Sequence, residues 1–271
     1  MSILEAIFLG IVQGLTEFLP VSSSGHLVLL QKIFGIEEPA LFFDTMLHVG
    51  TLIAVFAVLW KDILEILKKI VQPLTGYLIL ATIPMVIIAL LFSKKIEHLF
   101  ESGQFLGFSF LITTCLLITA ELLSRHSAKI ENKNNETKMK LKDALVIGIM
   151  QAIAIIPGIS RSGATISGAL FCKLNRDFAA RFSFLLSIPA TLGAVVFQTR
   201  DLLKSSAAQT EESISAAAII SGTITAAIVG FFAVKLMLKI IREKSLFGFA
   251  IYTGILGIFV LLDQFILRLV F

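Results

Sequence analysis

Six stretches of the chain are apolar at almost every position: about Phe42–Trp60, Tyr77–Phe92, Phe105–Leu123, Ala179–Gln198, Ile214–Leu238 and Phe247–Leu267. A helix needs about 20 such residues to cross ~30 Å of hydrocarbon, so each stretch predicts one membrane crossing. Two further apolar regions are interrupted. Ile3–Leu19 stops at Pro20-Val21-Ser22-Ser23-Ser24-Gly25 and resumes as His26–Phe34. Leu141–Ile156 stops at Pro157-Gly158-Ile159-Ser160-Arg161-Ser162-Gly163 and resumes as Ala164–Leu174. Proline ends one helix, and a serine can cap the next. The second arms are too short to span, so each region predicts a re-entrant helical hairpin. Irregular backbone persists inside a bilayer only where it is buried in protein or lines a polar cavity. The competing topology, in which both hairpins cross fully, adds further spans.

The two interrupted regions resemble each other. At an offset of 138, Ala6, Gly10, Ile11, Gln13, Ser22, Ser24 and Gly25 fall on Ala144, Gly148, Ile149, Gln151, Ser160, Ser162 and Gly163. Seven identities in a window of 20 residues exceed the roughly one or two expected by chance. Three crossings follow each hairpin, and an odd number of crossings per copy turns the second copy upside down. The expectation is an all-α polytopic membrane protein with an inverted-topology repeat, each repeat a re-entrant helical hairpin plus three transmembrane helices. It forms a single membrane domain over 1–271: repeat 1 at about 1–123, a polar and mobile connector at about 124–140, and repeat 2 at about 141–271.

Composition supports membrane embedding: 56% of residues are apolar and only 15% charged. The first apolar run lacks a basic leader and contains Glu5 and Glu17, so it does not resemble a cleavable signal peptide. Cys115 and Cys172 stand in separate apolar helices without metal or redox spacing, and are expected to be small buried residues. The modest net charge of +4 lies beside helix ends, which suits a membrane surface and not nucleic acid. One set of loops and helix ends carries sixteen Lys and Arg residues, from Lys61 to Lys244, and the opposite set six, including Lys32, Lys94 and Arg200. The richer set is expected on the cytoplasmic side. The first hairpin then enters from outside, the second from the cytoplasm, and their tips meet near the middle of the bilayer.

Among the 23 Lys and Arg residues, Arg161 alone sits in an apolar element at a helix break. An ionisable group at that depth is costly and marks a candidate site. Ser160 and Ser162 flank it, and Thr165 lies one turn on. Guanidinium, hydroxyls and the free amides of a helix start together suit phosphate oxygens; the bland alternative is an Arg that pairs a buried carboxylate to hold the hairpins. The first hairpin offers Gln13 and Glu17 on one helical face, Ser22, Ser23 and Ser24 in the break, and His26 three residues past Ser23. A carboxylate, hydroxyls and an imidazole supply nucleophile, acid and base, while Glu17 alternatively holds a divalent cation. Asp44 and His48 are expected behind this set, and Glu121 and Asp263 at interfacial water. Inverted repeats with broken helices around an anion also describe transporters and lipid flippases.

In both hairpins the chain resembles the undecaprenyl pyrophosphate phosphatase family, membrane enzymes linked to bacitracin resistance. The matching stretches are Gln13-Gly14-Leu15-Thr16-Glu17-Phe18-Leu19-Pro20-Val21-Ser22-Ser23-Ser24-Gly25-His26 and Pro157-Gly158-Ile159-Ser160-Arg161-Ser162-Gly163-Ala164-Thr165. The resemblance implies hydrolysis of a polyprenyl diphosphate lipid, dependence on Mg2+ or Ca2+, and a site opening to the outer face of the bacterial cytoplasmic membrane. It implies catalytic roles for Glu17, Ser23, His26 and Arg161, with substrate contacts from Ser22, Ser24, Ser160, Ser162, Thr165 and Gln13, and metal binding at Glu17. Many family members carry Glu at the position of Gln13, so a metal site with two carboxylates is weakened here. Ser23, His26 and an activated water all remain open as nucleophile.

Overall fold

The computed structural model of the chain describes residues 1–36, 41–130, 139–204 and 214–271. Every regular element among them is helical. The first hairpin is α1 (Ile3–Thr16) and α2 (Ser23–Ile33); α3 (Leu41–Val58), α4 (Trp60–Lys68), α5 (Pro73–Ser102) and α6 (Leu106–Ile130) follow. The second hairpin is α7 (Leu141–Ile153) and α8 (Arg161–Phe171), followed by α9 (Arg176–Lys204), α10 (Ala216–Glu243) and α11 (Phe247–Leu262). The last helix ends in a π-helical turn, Asp263–Leu267.

Five helices are long and apolar enough to cross a membrane, and the bent pair α3–α4 makes a sixth candidate. These match the six expected crossings, with two differences. The chain bends by 78° between Val58 and Trp60; α3 alone covers about 27 Å at 1.5 Å per residue. Beyond the bend, α4 has an apolar and a charged face and buries no residue, as suits a helix lying along an interface. The crossing expected to end at Phe92 does kink there (φ −122°, ψ 19°), but the helix continues as a polar segment to Ser102. The expected connector is also shorter, because α6 stays helical to Ile130; residues 131–138 lie outside the described residues.

Small residues set the helix packing. An added Cβ at Gly10 would lie 2.5 Å from the Gly222 carbonyl oxygen, so only glycine lets α1 come this close to α10. Gly148, its counterpart at the offset of 138, does the same for α7 against α5, with 2.7 Å to the Ala81 carbonyl. Close approach between small residues replaces the hydrophobic drive that helices lack inside lipid. Across the molecule α1 packs on α10 and α7 on α5, while α6 meets α11 and α3 meets α9.

Of the two charges expected at interfacial water, Glu121 has another setting. Glu121 is 2% exposed and accepts from Arg125, from Arg176 at 2.5 Å and from the Leu246 amide, fastening α6 to the start of α11. Asp263 accepts from the amides of Leu269, Val270 and Phe271, closing the C-terminal turn. Cys115 is exposed and Cys172 half-buried, so neither cysteine is fully buried as composition suggested.

Candidate active site

The two helix breaks are built alike. Ser22 caps α2, its hydroxyl accepting from the Gly25 amide at 3.2 Å and standing 3.3 Å from the Ser24 hydroxyl. Ser160 caps α8, its hydroxyl accepting from the Gly163 amide at 3.0 Å and standing 3.2 Å from the Ser162 hydroxyl. Each cap answers an amide that the first helical turn leaves without an intrahelical acceptor. Ser22 has φ 70°, a left-handed conformation that turns the chain sharply into α2. Both second arms begin earlier than expected, at Ser23 and at Arg161, so these two residues open helices instead of lying in loops.

The tips touch. Ser162 donates to the Leu19 carbonyl at 3.1 Å, and the Gly158 amide donates to the Ser24 hydroxyl at 3.4 Å. An added Cβ at Gly25 would lie 2.9 Å from the Gly158 Cα, so the two backbones approach too closely for a side chain. Thr113 on α6 steadies the second tip by accepting from the Ser160 amide at 3.0 Å and donating to the Gly158 carbonyl at 3.3 Å.

Between the tips stands Glu17, the residue that ends α1, with its side chain 4% exposed. Oε1 accepts from Arg161 Nη2 on the opposite tip. Oε2 accepts from Ser23 Oγ at 2.6 Å and from Gln13 Nε2 at 2.9 Å. Ser23 and Arg161 lie 138 residues apart, the offset at which the two interrupted regions align, and each opens its helix and binds one oxygen of the same carboxylate. One tip thus offers a hydroxyl where the other offers a guanidinium. Two polar atoms here are buried with no protein partner: Arg161 Nη1 and Gln13 Oε1. Such atoms cost free energy unless a ligand or water answers them.

Three further residues complete the surroundings. His48, expected only behind the site, reaches it directly: Nδ1 is 2.8 Å from Gln13 Nε2 and 3.3 Å from Glu17 Oε2. Asp44, one turn earlier on α3, accepts from Gln31 of α2 at 2.7 Å and ties that arm to the crossing. Tyr252 of α11, which nothing in the motifs singled out, lies 2.7 Å from His26 Nε2. The signal that could have found it is composition: the chain has 23 Phe and only two Tyr, so a hydroxylated ring inside an apolar span is an exception.

The hairpins thus bring Gln13, Glu17, Ser23 and Arg161 into one cluster, with Ser22, Ser24, Ser160 and Ser162 shaping the tips around it. His26 and Thr165 have other partners. His26 Nδ1 lies 2.6 Å from the Ser22 carbonyl, and neither ring nitrogen meets Ser23 or Glu17. The Thr165 hydroxyl lies 2.6 Å from Ser183 on α9 and donates back to the Arg161 carbonyl at 2.8 Å, bracing α8 and not facing the tip. Among the described residues no cluster of three or more His, Cys, Asp or Glu could hold a metal ion. The oxygens that a hard divalent cation would use here, with phosphate and water as its other ligands, are those of Glu17 and the unpartnered Gln13 Oε1.

Fold and tip chemistry together define a class: multi-pass helical membrane proteins whose polar interior is gathered where two broken helices meet. Within that class the chain belongs to the family described as Bacitracin resistance protein BacA, whose profile matches residues 6–259. It is 47% identical to an undecaprenyl-diphosphatase of Carboxydothermus hydrogenoformans over 264 residues, 97% of this chain and 98% of that one. It is 46% identical over 268 residues to undecaprenyl-diphosphatase 4 of Bacillus thuringiensis subsp. konkukian, covering 98% of each chain. Identity to an undecaprenyl-diphosphatase of Methanosphaera stadtmanae is 39% over 289 aligned residues, 98% of this chain and 100% of that one.

Proposed function

We propose that this protein is an integral membrane phosphatase that hydrolyses undecaprenyl diphosphate to undecaprenyl phosphate and inorganic phosphate. Such turnover recycles the lipid carrier for peptidoglycan and other cell-wall polymers and confers bacitracin resistance. Family membership along nearly the whole chain and full-length relatives named for this activity support the reading. The observation that carries the mechanism is the Glu17 carboxylate held between the Ser23 hydroxyl and the Arg161 guanidinium, whose second arm, Nη1, is unpartnered.

In this mechanism Arg161 Nη1 and the amides at the starts of α2 and α8 grip the diphosphate. They offset the charge that builds on the phosphoryl oxygens during transfer, the largest part of catalysis for this chemistry. Ser23 Oγ attacks the terminal phosphorus while its proton passes to Glu17 Oε2, 2.6 Å away. The new Oγ–P bond replaces the bond to the bridging oxygen, which leaves with its electron pair as undecaprenyl phosphate. Water then attacks the phosphoserine, with His26 as the base; the Oγ–P bond breaks, and Ser23 recovers the proton held by Glu17. Glu17 and Gln13 Oε1 would hold Mg2+ or Ca2+, which would supply further neutralisation of the diphosphate.

The repeats are read as inverted copies, which lets two half-helices point their positive ends at one anion from opposite sides. We assign the protein to the bacterial cytoplasmic membrane with the site opening outward, from the excess of Lys and Arg on the opposite side. The tail of the lipid suits an apolar groove between helices, such as that lined by Phe108, Leu111, Ile112, Leu116 and Phe171.

The test is phosphate release from undecaprenyl diphosphate by purified protein in detergent, with Mg2+ or Ca2+ and with chelator, comparing wild type with Ser23→Ala and Glu17→Gln. Wild type should turn over, chelator should suppress turnover until metal is restored, and both variants should lose at least about a hundredfold in kcat. Turnover by both variants at the wild-type rate would refute the assigned site. A folded wild type that binds the lipid but releases no phosphate would favour a carrier of lipid phosphates instead.

A further inference from the structure

His26 is buried, one turn into α2 from Ser22. Its Nδ1 is 2.6 Å from the Ser22 carbonyl oxygen, which can only accept, so the ring proton sits on Nδ1. In the neutral imidazole Nε2 is then the lone-pair nitrogen, and its partner at 2.7 Å is the Tyr252 hydroxyl, which donates to it. The two rings are parallel to within 6°, and Phe110 closes His26 from another side, edge-on at 85°.

Tyr252 is itself held in register. The hydroxyl of Thr253, the next residue, lies 2.8 Å from that of Thr114 on α6. Thr113, the neighbour of Thr114, is the residue that accepts from the Ser160 amide. Consecutive threonines of α6 thus fix α11 and the second tip to one rod. Tyr252 is 48% exposed on an apolar span, where phenylalanine would face lipid at lower cost. The chain uses phenylalanine nearly everywhere else. A hydroxyl retained against that cost, and spent on a buried imidazole, is there for the imidazole.

We propose that Tyr252 is a positioning residue for the phosphatase: with the Ser22 carbonyl it clamps His26 in one orientation and one tautomer, keeping the acceptor lone pair on Nε2. This rests on the phosphatase reading above and adds to it the residue through which α11 reaches the reaction. Ser23 has Glu17 for its proton, so His26 serves the water that hydrolyses the phosphoserine; because Nε2 already accepts from Tyr252, that water's proton reaches it through the tyrosine hydroxyl, which gives its own proton to Nε2 as it takes the water's. A ring free to rotate or to carry its proton on Nε2 serves that step less often.

Tyr252→Phe keeps the stacked ring and removes only the hydroxyl. In the phosphate-release assay it should lower kcat about tenfold, the scale of one lost hydrogen bond, with KM within about twofold. In a His26→Ala background the same change should cost nothing more, because the clamp has nothing left to hold. With only four histidines in the chain, ring-15N spectra of labelled protein should show His26 protonated on Nδ1 in wild type and a shifted Nε2 signal in Tyr252→Phe. A wild-type kcat in Tyr252→Phe, a loss that adds in full to that of His26→Ala, or a wild-type His26 protonated on Nε2 would each overturn the proposal. A wild-type protein without phosphatase activity would instead sink the functional reading, while the spectra would still report on the clamp.

Discussion

Replacing Arg161 with lysine separates the two tasks its guanidinium performs. One arm, Nη2, bonds Glu17 Oε1; the other, Nη1, is buried and unpartnered. The guanidinium is 22% exposed and the Glu17 carboxylate 4%. An ammonium is a point charge on a flexible stem and cannot occupy both places. It goes to Glu17, because a carboxylate that deep without a counter-charge is costly. The phosphate then loses one preorganised donor, which costs roughly 10²–10³ in kcat, or about 3–4 kcal/mol of transition-state stabilisation. Stability should fall much less, since a charge still faces Glu17. Arg161→Ala is the less informative change: stranding Glu17 costs about 3–5 kcal/mol of folding free energy and mixes misfolding with lost chemistry. Adding Glu17→Gln to that variant should return most of the stability and none of the turnover. The measurements are steady-state phosphate release in detergent and the thermal midpoint of the same preparation. A lysine variant that keeps more than about a third of the wild-type kcat would refute the idea that the free arm of Arg161 clamps phosphate.

Three other outcomes test the frame around the site. Ser22→Ala removes the cap of α2 and leaves a Cβ at φ 70°, so it should cost about 1 kcal/mol or more, whereas Ser22→Gly tolerates that backbone and should lie closer to wild type in thermal midpoint. Gly148→Leu drives a side chain into the Ala81 carbonyl, 2.7 Å from where its Cβ would sit; prying α7 from α5 should cost about 1–3 kcal/mol and show as a lower midpoint. Glu121→Ala releases Arg125, Arg176 and the Leu246 amide about 12 Å along α6 from Thr113, so it should lower the midpoint while the folded fraction keeps kcat within about twofold.

The apolar runs, the Pro- and Gly-bearing breaks and the offset of 138 were all legible without coordinates, because each is a property of neighbouring residues. Hydrocarbon thickness sets how long an uncharged helix must be, and proline stops a helix wherever it falls. Glu17 and Arg161 stood out for the same reason, as charges where charge is expensive. Less readable was how each element ended. The bend at Leu59 had no local signal, whereas the helical start at Arg161 follows the Ser160 cap, which left the exact first residue open.

Chemistry divides along the same line. Residue types and their spacing determined by themselves that a carboxylate, hydroxyls, an imidazole and a guanidinium would gather at two breaks. Which of them meet was decided by folding, through pairs that lie far apart in the chain. Arg161 is 144 positions from Glu17, and Tyr252 is 226 from His26. The same serines that look equivalent in the motif part company: Ser22 and Ser160 spend their hydroxyls as helix caps, while Ser23 turns its own to Glu17. Thr165 and His26 each meet a partner from another helix, Ser183 and Tyr252. A hydroxyl or imidazole bonds whatever partner the packing brings within about 3 Å, and that partner is fixed only when the crossings close around it.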